Sequence, residues 1–281
     1  MICRESSQSV ALTDYYSHIN IYKIIQEFLI HMDFTLQKYS QLLKALKASG
    51  ISFQLRHDVD LRPHNSLVVA EMENKLGLKA VYYFRMVPES YNKAIVKAIY
   101  ALGHEIGYHY ESLTTCRGDI EEAYRDFCDN LAKLRQTVPI NKICMHGSPR
   151  SPYDSRDLWK HYDYRSLGID YEPYFDTDFA HTLYLTDTGR RWDGYNVSVR
   201  DKIPQYQELW ENKGLVFHTT DDIIKQLNNP SSTLRQSRYA MLITTHPQRW
   251  NPFGLAYVKE YVIQLLKNSV KKLLVKTKNK K

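Results

Sequence analysis

A chain of 281 residues with 43% hydrophobic and 25% charged residues can bury a full core, which excludes a mostly disordered protein. Its formal charge of +7 is local: residues 267–281 hold seven lysines and no acid, so the remainder is close to neutral. That distribution excludes a nucleic-acid groove along the body and leaves the tail as a solvated helix end, with peripheral contact to anionic membrane lipid as its one further use.

Arg4 and Glu5 open the chain, and the segment 19–30 is broken by Lys23, Gln26 and Glu27, so no signal peptide is read there. Residues 1–33 are expected to form an extension and 34–281 one domain. No uncharged apolar run approaches the ~20 residues that span a bilayer. Cys3, Cys116, Cys128 and Cys144 lack the close pairing of a zinc ribbon or redox motif, and a reducing cytoplasm is the simplest setting.

Apolar positions three and four apart over 34–49, behind Thr35 as N-cap, predict an amphipathic helix. Residues 51–55 read as a buried strand that ends abruptly on Arg56, His57, Asp58 and Asp60. Pro63 opens a helix to Leu76 that Gly77 stops, and 80–86 is strand-like. Helix follows over 92–102, strand over 105–108, helix over 119–135 and strand over 142–145. This alternation predicts parallel βαβ units. Between Pro149 and Asp201 the pattern dissolves into elaborated loops, with 182–185 and 195–199 as strand candidates. Beyond it the sequence predicts a helix over 204–212, a strand over 215–217, a helix over 220–227 and a strand over 241–244. A last helix over 253–274 carries Leu255, Val258, Val262, Leu265 and Leu266 at helical spacing.

Polar, reactive residues gather where the strand candidates end: Asp58 and Asp60, then Arg85, His109 with Glu111, His146, Asp187 with Arg190 and Arg191, and His246. A barrel puts such strand ends on one rim. Two positions apart on extended backbone, Asp58 and Asp60 point to one side, and their mutual repulsion calls for a cation, either Arg56 or a metal. Imidazole and carboxylate together suit a divalent ion, with zinc the default and cobalt, nickel or another first-row metal the alternatives. Such a centre needs three protein ligands and an open place for water. A carboxylate beside the ion then takes the proton of that water, and a histidine opposite protonates the leaving group. Asp58, with Asp60, fits the first role and His246 the second.

Over 34–252 this arrangement resembles the polysaccharide deacetylases, NodB-like carbohydrate esterases that are metal-dependent hydrolases on a distorted (β/α)7-type barrel. The resemblance implies an α/β single domain with Asp58 as base and Asp60 as metal ligand. Gly103 to Gly107 matches the family's Gly-His-Glu-Ile-Gly strand, which is followed by two ligand histidines four apart. The first corresponds to His109, whereas the second falls on Leu113, which cannot bind a metal. Glu111, His146 or His57 can supply the third ligand, and His146 is preferred because Gly147 and Pro149 build a turn able to aim its ring inward. Residues 242–246 resemble the motif that supplies the general acid, here His246, and 187–194 lies where the family places an aspartate that orients it, here Asp187.

The 22 tyrosines suit sugar stacking, with residues 171–175, Tyr174 among them, and Trp192 as platform candidates. Arg190 or Arg191 is expected to hold a phosphate or sugar carboxylate. The expected activity is removal of an N-acetyl group from an amino sugar, nucleotide-linked or lipid-linked, during surface-polysaccharide assembly. A sugar-binding barrel without catalysis, for which Leu113 argues, and a hydrolase acting on another bond are the rival readings.

Overall fold

The computed structural model describes residues 32–148, 151–198 and 200–278. Most of the N-terminal extension with Cys3, as well as Pro149, Val199, Lys280 and Lys281, lies outside them. Thr35, in extended backbone, accepts a hydrogen bond from Lys38 N at 3.1 Å and starts helix α1 (Leu36–Ser49), which Gly50 ends at φ 70°. Strand β1 (Phe53–Val59) follows, and Pro63 opens α2 (Pro63–Lys75) before β2 (Ala80–Phe84). Asn92 caps α3 (Lys93–Ala101), which leads into β3 (Glu105–Tyr110). Asp119 caps α4 (Ile120–Arg135), and the short β4 (Ile143–Met145) comes next. After the long loops come β5 (Thr182–Thr186), α5 (Pro204–Asn212), α6 (Thr220–Asn228), β6 (Ala240–Thr245) and α7 (Leu255–Lys278).

The six strands are all parallel and lie in the order β4-β3-β2-β1-β6-β5, curled into a half-barrel with β4 and β5 at its edges. This is the α/β class expected, with one strand fewer than a seven-stranded barrel. Neither remaining strand candidate pairs among the described residues. Residues Gly194–Val197 form a 3-10 turn that starts where Gly194 lies against the carbonyl of Thr188, so close that an added Cβ would stand 2.5 Å from that oxygen. Leu215 and Phe217 are buried but irregular, filling the core after a left-handed turn at Gly214.

Register aligns the strand ends. Arg56 lies opposite Thr244, and Asp58 opposite Tyr83, so β1 delivers its carboxylate between its two neighbours. Alternation sends His57 to the other face. There its two ring nitrogens bond Thr245 Oγ1 and Glu73 Oε1, each at 2.7 Å, under α2. Glu73 also accepts the hydroxyls of Tyr39 at 2.5 Å and Tyr82 at 2.6 Å, a closed buried network.

Helix α7 sits on the structure by an unexpected face. Tyr257 donates to the carbonyl of Asp33 at 2.8 Å, Glu260 pairs with Arg62 at 3.2 Å and Asn268 donates to Gly189 O at 2.8 Å. The apolar positions Leu255, Val258, Val262 and Leu266 point to solvent.

Candidate metal centre

The ends of β1, β3, β4 and β6 open into a cavity of about 480 Å³ that includes Asp58, Asp60, His109, His146 and His246 in its wall. Asp60, His109 and His146 each bring one ligand atom to within 4.8 Å of the others. Nε2 of His109 is 3.5 Å and Nε2 of His146 3.6 Å from Asp60 Oδ1.

The other nitrogen of each ring is already committed. His109 Nδ1 lies 2.9 Å from the carbonyl of Cys144, to which it donates, leaving Nε2 as the free lone pair. His146 Nδ1 lies 2.8 Å from Glu111 Oε2, and Arg85 holds Glu111 from behind at 2.6 Å. Burial would raise Glu111, but the His146 bond and the Arg85 charge bring its carboxyl down to about 2. Glu111 therefore stands behind the His146 ring and is not among the atoms that converge with Asp60. His57, on the opposite face, is likewise removed from the choice of third ligand, and Leu113 is a core residue.

A divalent cation fits these residues. Asp60 Oδ1 is buried without a hydrogen-bond partner, whereas Oδ2 accepts Gln248 Nε2 at 3.2 Å. Burial alone would raise this carboxyl, yet His109, His146 and His246 hold it well below the usual carboxylate range. Burial would lower His109, but Asp58 and Asp60 outweigh it and raise the ring above its ordinary value. A second group, Asp58, His109 and Cys144, is also close enough to hold an ion. It fits less well, because burial pushes the Cys144 thiol far up and Asp58 is already gripped by a guanidinium.

That grip is bidentate: Arg56 Nε reaches Asp58 Oδ1 at 2.8 Å and Nη2 reaches Oδ2 at 2.6 Å, both side chains buried. Asp58 Oδ2 remains 3.7 Å from His109 Nε2, beside the cluster. Across the cavity, His246 Nε2 stands 3.8 Å from Asp60 Oδ2. Its Nδ1 donates to Asp187 Oδ1 at 2.6 Å. Arg249 Nη1 lies 2.6 Å from that same nitrogen and 2.7 Å from Asp187 Oδ1; two donors cannot bond each other, so the carboxylate receives both protons. Trp250 Nε1 and the His246 amide donate to Asp187 Oδ2 at 2.8 and 2.9 Å. Burial opposes ionisation of Asp187, but Arg249 and His246 keep its carboxyl below the ordinary value.

Three expected substrate contacts do not line this cavity. Arg190 lies among Phe34, Tyr257 and Tyr261 and donates to the carbonyl of Arg249 at 3.1 Å; Arg191 is spent on Asp193 at 2.7 Å. Trp192 is buried against Phe34, with its Nε1 on Thr220 Oγ1 at 2.8 Å. Arg190 and Trp192 are drawn away because partners distant in sequence claim their polar groups, and Arg191 because Asp193, two positions on, claims its guanidinium. Tyr174 does reach the cavity, although the guanidiniums of Arg56 and Arg156 lie over its ring at 5.2 and 4.9 Å and compete with a sugar for its faces.

Sequence reasoning missed Asp201 in the cavity wall. It accepts the hydroxyls of Tyr174 at 3.1 Å, Thr186 at 2.6 Å, Tyr184 and Thr188. Burial would raise it, but Arg56, His246 and these hydroxyls leave its carboxyl well below the usual range. A signal existed: Tyr184 and Thr186 share one face of β5 and Thr188 follows at the same spacing just beyond it, a run of hydroxyls that calls for a buried acceptor.

No family model matches the chain, and no curated protein does. Among solved structures it is similar to a mutant of BA3943, a CE4 family pseudoenzyme, at 11% identity and a TM-score of 0.34. That alignment covers 78% of this chain and 63% of the other, and at such a score it carries no weight for fold or function.

Proposed function

We propose that this chain is a metal-dependent hydrolase that removes the N-acetyl group of an amino sugar during assembly of a surface polysaccharide. The observation that carries the reading is Asp60 Oδ1, buried and unpartnered, facing the free nitrogens of two histidines whose other nitrogens are fixed. Asp60, His109 and His146 would hold the ion, zinc or another first-row metal. Bound there, it supplies Lewis acidity toward an acyl oxygen and makes an adjacent water acidic.

The protein's own groups do the rest. Asp58, oriented by Arg56, takes the proton of the attacking water. His246, oriented through Nδ1 by Asp187, presents Nε2 to the amine that leaves. Asp58 Oδ2 lies 3.7 Å from His109 Nε2 and His246 Nε2 lies 3.8 Å from Asp60 Oδ2, so base and acid both border the cluster where the acyl group would sit. Cytoplasmic work on a nucleotide-linked or lipid-linked sugar is the setting proposed, which the free thiols of Cys116, Cys128 and Cys144 suit.

Elemental analysis of the purified chain together with an acetate-release assay tests the reading. Near-stoichiometric metal and acetate freed from an N-acetylated amino sugar are expected. Turnover without acetate would mean that another bond is cleaved. Leu113, in place of a family ligand, favours a second reading, a sugar-binding barrel without catalysis. A metal-free chain, inert when zinc, cobalt or nickel is supplied, would establish that one instead.

A further inference from the structure

Helix α7 has two working faces. Glu260 and Gln264 are buried and stand in the wall of the cavity that holds Asp60 and His246. On the opposite face Leu255 is 91% exposed, Val258 and Val262 48% each, and Leu266 66%. Spaced by three, four and four residues, they form a stripe about 16 Å long at 1.5 Å per residue. Phe253, just before the helix, is 49% exposed as well.

Charge identifies what covers this stripe. Lys259 and Lys267 are exposed beside it, and Lys271, Lys272, Lys276 and Lys278 follow on the same helix. From residue 261 to the last residue there is no acid, and Glu260, the one acid of α7, faces Arg62. A second copy pairing along this face would bring lysines against lysines with no countercharge. A nucleic acid would neutralise the lysines and leave the apolar stripe in water. A surface that is anionic outside and apolar beneath satisfies both at once. Among the described residues no helix is long and apolar enough to cross a membrane, so this one lies on the surface.

We propose that α7 docks on an anionic lipid bilayer and that the cavity beneath it is filled from that surface. Leu266 and Lys267 are exposed and also line the cavity, so the opening and the docking edge share residues. Taken with the hydrolase reading, on which only this step rests, the substrate is the lipid-linked member of the amino-sugar class.

Flotation of the full chain with vesicles tests the docking without using activity. Binding to phosphatidylcholine vesicles containing one-quarter phosphatidylglycerol should exceed binding to pure phosphatidylcholine at least tenfold and weaken with salt. A Val258→Asp/Val262→Asp variant and a Lys271→Glu/Lys272→Glu/Lys276→Glu variant should each lose at least tenfold, with metal content and turnover of a soluble N-acetylated amino sugar unchanged. No flotation at low salt, or equal flotation of the variants, overturns the proposal. So does a dimer in light scattering that Val262→Asp splits, which would assign the face to a second copy. Flotation without acetate release from any sugar would keep the docking and remove the hydrolase. Acetate release from soluble sugar, without faster release from a vesicle-embedded lipid-linked one, would remove the substrate assignment alone.

Discussion

Asp58 and Asp60 stand two positions apart and differ in what faces them. The Arg56 fork saturates one side of Asp58, while Asp60 keeps an oxygen that has no hydrogen-bond partner among the described residues. Asp60→Asn and His109→Ala should therefore lose bound metal, read by elemental analysis, while circular dichroism shows an intact fold. Full metal in both variants would place the ion elsewhere. Asp58→Asn should retain most of the metal, because its carboxylate is tied to a guanidinium beside the cluster. Its turnover should drop by roughly two to four orders of magnitude, the span of a lost general base. Near-normal turnover would remove Asp58 from the chemistry. Arg56 belongs to this pair: it was legible as the alternative cation for the aspartates, and the structure gives it one of the two.

Strand β4 has three residues, and a neighbour fixes where it ends. Glu172 accepts Met145 N at 3.0 Å through Oε1 and Tyr174 N at 2.6 Å through Oε2, tying the strand before His146 to the turn that brings Tyr174 to the cavity. Burial pushes the Glu172 carboxyl up from 4.5 to about 7. The folded chain then keeps a proton that the unfolded chain has lost. This contribution is present below the unfolded value and disappears as pH rises through the folded one, so stability falls across that window by roughly 3 kcal/mol from this group. Glu172→Gln should flatten that part of the slope in urea melts at pH 5 and 8; an unchanged difference between the two would remove Glu172 as its source. Elements whose signals are local were legible: Thr35 caps α1 as expected, and the helices read from Asn92 and Asp119 begin directly after those residues, which cap them. Elements defined by distant partners were not. The 3.6-residue period of α7 shows a stripe but not whether it faces core or water, and Leu215 and Phe217 pack as a strand would without pairing. Arg190 and Trp192 failed as substrate contacts for the same reason, since Arg249 and Thr220 occupy them from far along the chain.

Strand order makes one site from both ends of the chain. With β1 between β2 and β6, the carboxylates after one strand meet the imidazole after the other, and His246 Nε2 comes to 3.8 Å from Asp60 although the sequence separates them by the greater part of the domain. Strand-end chemistry on successive βα units was the signal that suggested this gathering, and parallel register is the physical reason for it. Proximity to Asp60 leaves His246 two roles, proton donor or metal ligand. Its hydrogen bonds favour the first, because Asp187 fixes Nδ1 while Nε2 stays outside the group in which Asp60, His109 and His146 converge. His246→Ala should accordingly keep its metal, bind substrate and lose most turnover, because the leaving amine loses its proton donor. Asp187→Asn should keep its metal too and lower kcat more than it changes KM, because it disturbs the ring's tautomer and aim while leaving the cavity in place. A His246→Ala chain that emerges without metal would make His246 a ligand; the proton for the leaving amine would then have to come from another residue of the same rim.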